Sequence, residues 1–284
     1  MERDTESGAA HQIHEFTHAD WRVTYRHSPI LSIPEMDRAA DLLAFSPPEM
    51  LFGNDKFEIQ YRSAKSISLN AIDALRLVAR GPGTDTAIRV KPARDWQTSR
   101  AGSGITRVVN PFDWTYTTRY TGSGANITFA ESQTRIDVAR LTARDPILFY
   151  DSGILYEDDL GDFGSCVLSY KFRFMQSATF LLLIRFFLRV DGVLFRIYDT
   201  RYVHEPSTDG SSAGVLIKQV SRKQADYSSV LAKIQAPTAS PGSHQSETSA
   251  RPDFSKLNNA DFVDSLITDH TFKANYIHHL DSYL

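Results

Sequence analysis

The stretch that decides the fold is "LLLIRFFLRVDGVLFRIYDTRYVHE", Leu181–Glu205. Two long runs of β-branched, aromatic and leucine residues flank Asp191-Gly192. Asp-Gly between such runs is a strong hairpin signal, because a two-residue type I′ turn needs positive φ at both central positions. In that register Val190 pairs with Val193, Leu188 with Phe195, Phe186 with Ile197, Ile184 with Asp199, and Leu182 with Arg201. One face is then almost wholly apolar. The other interleaves Arg185, Phe187, Arg189, Arg196, Tyr198 and Tyr202. Asp199 falls at the end of the apolar face, where a carboxylate needs a partner: Arg201, backbone N–H groups, or a second protein.

Working outward, more strands and a few helices appear. Trp21, Val23 and Tyr25 alternate with Arg22, Thr24 and Arg26, and Phe57, Ile59 and Tyr61 alternate likewise. Leu168, Tyr170, Phe172 and Phe174 alternate with Ser169, Lys171 and Arg173. A period of two is the strand signature. "NPFDWTYTTRYTGSG" also reads as a strand running into a glycine turn. "IPEMDRAADLLAF" reads as a short helix with Pro34 in its first turn, and "NAIDALRLVA" as another capped by Asn70. "VLIKQVSRKQADYSSVLAKI" holds a strand and a helix. The expected fold class is α+β: a single domain with a mostly antiparallel sheet, including a long hairpin over about 179–203, flanked by helices. Residues 1–14 read as a disordered polar tail, 15–234 as the domain, and 235–253 as a low-complexity linker. Residues 254–284 read as an amphipathic helical segment with Phe262, Val263, Leu266 and Ile267 on one face.

Composition narrows the function classes. The chain has 284 residues, a net charge of −3 and a single cysteine, Cys166. The charge balance argues against a non-specific phosphate binder, which needs clustered Lys and Arg. One cysteine allows no internal disulfide, and the polar start has no apolar signal region, so a cytoplasmic or nuclear protein is expected. The apolar run near residue 185 is shorter than the roughly 20 residues of a membrane span and is broken by Arg185 and Arg189.

Several clusters carry potential chemistry. Glu157, Asp158, Asp159 and Asp162 form an acidic run that could hold a hard cation, although the EF-hand spacing is absent. His11, His14 and His18 have helical spacing but lack a further zinc ligand. Cys166 with His204 is a conceivable nucleophile and base, yet no nucleophile elbow is present. The loops at 81–86 and 100–107 fit no phosphate-binding pattern. A metal-dependent enzyme using residues 157–162, or a nucleic-acid-binding sheet using the basic aromatic hairpin face, are therefore the alternative functions.

Four segments in the same order carry a resemblance. "PPEMLFGND", "FDWTYTTRYTG", "ILFYDSGILYEDDLGDFG" and the hairpin itself resemble the TIPRL family, the TIP forty-one-like regulators of TOR signalling. The match covers most of residues 15–205. The resemblance implies a non-enzymatic, monomeric regulator without a cofactor. It implies binding to the catalytic subunits of type 2A-like Ser/Thr protein phosphatases, with the alpha-4-type phosphatase chaperone as a further partner and neither nucleic acid nor membrane. The family's phosphatase-facing positions fall on Asp73 in "NAIDALR", Ile136 in "TRIDVARL", and Ile197 and Asp199 in "FRIYDTR". Ile197 stands where animal members carry Met, a change that keeps the volume and gives up flexibility. Partner choice encoded in 81–107 and after residue 205 does not carry over.

Overall fold

The structure is a computed structural model, and it describes residues 13–80, 112–142, 144–207, 213–235 and 254–280. Strands β1 (His14–His18) and β2 (Trp21–Arg26) precede helix α1 (Ile33–Leu43). Strands β3 (Met50–Leu51), β4 (Lys56–Tyr61) and β5 (Lys65–Leu69) lead to helix α2 (Ala71–Leu75). Beyond residues 81–111 come β6 (Ser123–Ala125), β7 (Ala130–Glu131) and α3 (Val138–Thr142). The long strands β8 (Ile147–Asp158), β9 (Gly164–Met175), β10 (Phe180–Val190), β11 (Leu194–Glu205) and β12 (Val215–Asp226) follow. Helix α4 (Tyr227–Gln235), a 3₁₀ helix (Phe254–Asn258), α5 (Ala260–Leu266) and β13 (His270–His279) complete the order.

These strands form two antiparallel sheets. The smaller runs β1-β2-β4-β5-β6, and the larger β3-β8-β9-β10-β11-β12-β13-β7. The expected α+β class, with the antiparallel sheet dominant, is what the chain adopts. The alternating residues read from the sequence form the seam between the sheets. Trp21, Val23, Phe57, Ile59 and Tyr61 of the smaller sheet meet Leu168, Tyr170, Phe172, Phe174, Phe180, Ile184 and Phe186 of the larger in one buried cluster. Each such side chain removes apolar area worth about 1.5–3 kcal/mol from water. The opposite, outer face of the larger sheet is also covered: Phe187, Phe195 and Ile197 pack with Val230 of α4, Leu257 of the 3₁₀ helix and Val263 and Ile267.

Helix α1 starts as its sequence predicts. The Glu35 carboxylate accepts the Ser32 N–H at 2.8 Å and the Ser32 hydroxyl at 2.6 Å. These bonds, with one from Asn54, hold its pKa at about 2. Helix α2 is capped by Asn70, whose side chain accepts the Asp73 N–H at 3.0 Å.

Three expectations are corrected. The hairpin turn has three residues: Val190 pairs with Leu194, and the Val193 N–H donates to the Val190 carbonyl at 3.0 Å. Gly192 takes the positive φ, +69°. The register therefore slips by one, which moves every β11 side chain to the other face. Neighbours outside the hairpin hold this turn, since the Tyr227 N–H donates to the Val193 carbonyl and the Asp191 N–H to that of Phe163. Second, the C-terminal segment is helical only to Leu266, and His270–His279 is a strand paired with β12. Third, the expected strand is irregular from Asp113 to Gly122, and a sheet strand begins only at Ser123, in the expected glycine turn, and runs to Ala125. The linker and the loops at 81–86 and 100–107 lie outside the described residues, as do residues 1–12 of the expected tail.

Candidate functional site

The register slip relocates Asp199. It sits directly across from Arg185, on the outer face. Arg185 grips it with both arms: Nε donates to Oδ1 at 2.7 Å and Nη2 to Oδ2 at 2.7 Å. Arg201 donates to Oδ2 at 2.6 Å, the partner expected from the sequence. Helix α5 closes the site from above. Asp261 accepts from Arg185 Nη1 at 2.5 Å, and Asp264 lies 3.5 Å from Nη2 and 2.7 Å from Lys223 Nζ. Burial alone would lower the Arg185 pKa, but Asp199, Asp264 and Asp261 raise it overall. Partial burial would raise the Asp261 pKa, and Arg185 with Lys171 outweighs it to hold the carboxyl below its ordinary value. The bidentate fork explains why arginine, rather than lysine, suits position 185.

The four positions implied by the resemblance are only partly brought together. Asp199 is 2% exposed and Ile197 1%, both beneath the 3₁₀ helix and α5. Ile136 is 8% exposed and packs on Val203 and Ile217 of the same outer face. Asp73 belongs to the other layer, on α2 beside β6. Its side chain is 40% exposed, bonded to Arg76 at 3.0 Å and to the Ser123 hydroxyl at 3.4 Å.

The alternative chemistries meet structural uses. In the acidic turn, Asp158 accepts the Glu49 and Leu160 N–H groups, and Asp159 accepts that of Gly161. Among the described residues no group of three or more His, Cys, Asp or Glu is arranged to hold a metal. Cys166 is buried, and burial pushes its thiol well above its ordinary pKa. Its partner on β10 is Leu188 and that of His204 is Phe180, eight residues away, or roughly 26 Å along the strand. His14 stacks on Tyr25 and His18 meets Phe174 edge-on, within strand β1 rather than a helix. The basic aromatic hairpin face does not form. Arg185 and Phe187 lie beneath α5, whereas Arg196 turns to the opposite face and bonds Thr117 at 3.1 Å.

One polar cluster had no signal in the sequence. His27, after β2, places Nε2 2.8 Å from Asp151 Oδ1 on β8 and Nδ1 3.7 Å from Asp55 Oδ2. Tyr170 donates to the other Asp151 oxygen at 2.7 Å, and the Ser28 N–H to Asp55 at 2.5 Å. These residues are distant in sequence and ordinary in pattern, so only the fold collects them. Burial alone would lower the His27 pKa, and the bond and charge of Asp151 with that of Asp55 raise it overall. Burial raises the Asp55 pKa. A raised imidazole pKa stabilises the fold fully below its unfolded value of about 6.5, and the contribution fades as pH rises through the folded value. The stability gap between wild type and His27→Gln is therefore expected to be widest below pH 6.5 and to narrow above it. Because the imidazole is 43% exposed, the gap amounts to about 1 kcal/mol at most. Urea titrations at pH 5.5 and 8 check this; an equal gap at both removes the imidazolium bridge.

A model of the TIP41-like family matches residues 50–231. The chain is 41% identical over 197 residues to the TIP41-like protein of Homo sapiens, covering 67% of this chain and 71% of that one. The TIP41-like protein of Rattus norvegicus is 40% identical over 203 residues, 69% and 73% of the two chains. The type 2A phosphatase activator TIP41 of Saccharomyces cerevisiae is 37% identical over 238 residues, 75% of this chain and 64% of that one. By the extent of these matches, the chain belongs to the TIP41-like family.

Proposed function

We propose that this chain is a monomeric, non-enzymatic regulator that binds the catalytic subunits of type 2A-like Ser/Thr protein phosphatases in TOR signalling, in the cytoplasm or nucleus. An alpha-4-type phosphatase chaperone is a further partner in this reading. The observation that carries it is the similarity to the Saccharomyces cerevisiae protein, itself named a type 2A phosphatase activator. The Schizosaccharomyces pombe relative, 32% identical over 223 residues, bears the same description.

The contact surface in this reading has two parts. Asp73 is open to a partner and accepts charge-assisted bonds from its Arg or Lys. Ile197 and Asp199 are offered only when the 3₁₀ helix and α5 above them shift, and Ile136 lies apart from them, packed on Val203 and Ile217. The 3₁₀ helix and α5 are short and are held partly by the exposed carboxylate of Asp261, 65% accessible, whose ion pairs are individually weak. The partner's binding energy then has to offset the loss of those contacts.

The test is binding of purified type 2A catalytic subunit to three chains: wild type, Asp73→Lys, and Asp261→Ala with Asp264→Ala. Wild type is expected to bind. Asp73→Lys is expected to weaken binding by about 10- to 150-fold, the loss of one charge-assisted bond of about 1.5–3 kcal/mol. The double variant is expected to bind more tightly than wild type. No binding by wild type sinks the reading. Unchanged affinity in the double variant removes the lifted layer and leaves Asp73.

A further inference from the structure

Strand β8 is an edge strand for most of its length. It pairs with β9 throughout, yet on its other side β3 reaches only Tyr156 and Glu157, and the Phe52 N–H bonds the Leu155 carbonyl. Among the described residues no strand lies beside Ile147–Ile154. Natural edges of this kind are usually blunted by lysine, proline or an inward charge. Here the single charged residue between Ile147 and Ile154 is Asp151, turned inward to His27 and Tyr170. Instead the edge exposes Leu148 at 42%, Tyr150 at 57% and Ile154 at 37%.

The stretch available for pairing is well defined. Register shifts bracket Phe149–Ile154, which keeps unbroken register with Phe174–Ser169. That is six residues, about 20 Å of strand. Pro146 precedes it and β3 follows it. Past its C-terminal end lie Glu49, Glu157, Asp159 and Asp162. The negative charge of Asp159 and Asp158 is close enough to Glu49 to raise its pKa.

We propose that Phe149–Ile154 docks an extended segment of a partner protein as an added antiparallel strand. The segment carries apolar residues at alternate positions and Lys or Arg at its N-terminus. Antiparallel pairing directs that N-terminus along β8 toward β3 and the acidic turn beyond it, within the reach of a long basic side chain's field. Main-chain bonds supply affinity and the alternate side chains meet Tyr150 and Ile154. This goes beyond phosphatase regulation and does not depend on it.

The probe is the peptide Lys-Lys-Val-Thr-Val-Thr-Val-Thr, labelled at its C-terminus and titrated with the full chain by fluorescence anisotropy. Saturable binding is expected. It is expected to weaken at least about tenfold in the Tyr150→Lys, Ile154→Lys double variant, whose positions are exposed and leave the fold intact. It is also expected to weaken when the two lysines move to the C-terminus, and to vanish when alternate peptide nitrogens are methylated. No binding to wild type overturns the proposal, as does undiminished binding of the methylated peptide. If the chain instead dimerises and the double variant is monomeric, the occupant is a second copy and the proposal is likewise overturned.

Discussion

Asp199→Ala is expected to destabilise the protein by about 3–5 kcal/mol, the usual consequence of removing one partner of a buried ion pair. Arg185 is 8% exposed at its side chain and would lose two of its bonds, and Arg201 would lose its short one. The remaining partners of Arg185 are Asp261, 65% exposed, and Asp264, at 3.5 Å. Neither replaces a bidentate carboxylate. At about 2–4 °C per kcal/mol for a chain of this size, the melting point falls by roughly 6–20 °C. Asp261→Ala, by contrast, removes a solvent-screened partner and is expected to cost about 1 kcal/mol or less. A second comparison separates charge burial from packing. Arg185→Met with Asp199→Leu removes both buried charges of the pair, leaves only the part-exposed Arg201 without its bond, and is expected to recover much of the loss. If Asp199→Ala melts within a degree of wild type, the pair is not structural.

This prediction bears on the phosphatase reading. A drop in partner affinity on changing Asp199 would follow either from a lost contact or from a collapsed outer layer. Asp73 carries no such ambiguity, because its side chain is 40% exposed and its ion pair with Arg76 is a surface one. Affinity changes there report contact.

The hairpin shows what the sequence made legible and where it stopped. Its strands, its turn position and the apolar face of β10 are all evident from alternation. The register was not, because both faces of β11 are buried. Leu194, Tyr202 and His204 face one layer and Phe195, Ile197 and Val203 the other. With no wet face, alternation cannot choose between a two- and a three-residue turn. The choice is made by bonds from Asp191 and Tyr227, contacts that no local pattern announces. The same limit applies to β13. "HTFKANYIHH" has little helical or strand signal of its own, and it becomes a strand because β12 presents a free edge to it. The His27 cluster lies further out of reach, since it unites residues of the larger sheet with the connections after β2 and between β3 and β4. Asp199 is legible as a carboxylate that needs a partner, with Arg201 two residues away to supply one, whereas Arg185 is hidden by the slipped register.

Phe180→Ala is the second large loss expected, about 3–5 kcal/mol for a fully buried phenylalanine. Phe180 is 0% exposed at the start of β10, and it joins the two sheets. Trp21 of the smaller sheet meets it edge-on at 4.8 Å between centroids, while Phe172, Phe174 and His204 of the larger lie at 5.7, 6.0 and 5.7 Å. Alanine would leave a void bounded by both layers, with Trp21 and His204 anchored in their own strands and unable to close it. Phe180→Leu keeps most of the volume and is expected to cost less than about 1.5 kcal/mol. Thermal unfolding followed by tryptophan fluorescence and by far-ultraviolet circular dichroism checks both the size and the character of the change. If the sheets unfold as one unit, the two signals shift together. If the tryptophan signal alone moves to lower temperature, the surroundings of the tryptophans, Trp21 of the smaller sheet among them, loosen before the strands do, and Phe180 acts as a joint rather than as part of one cooperative core.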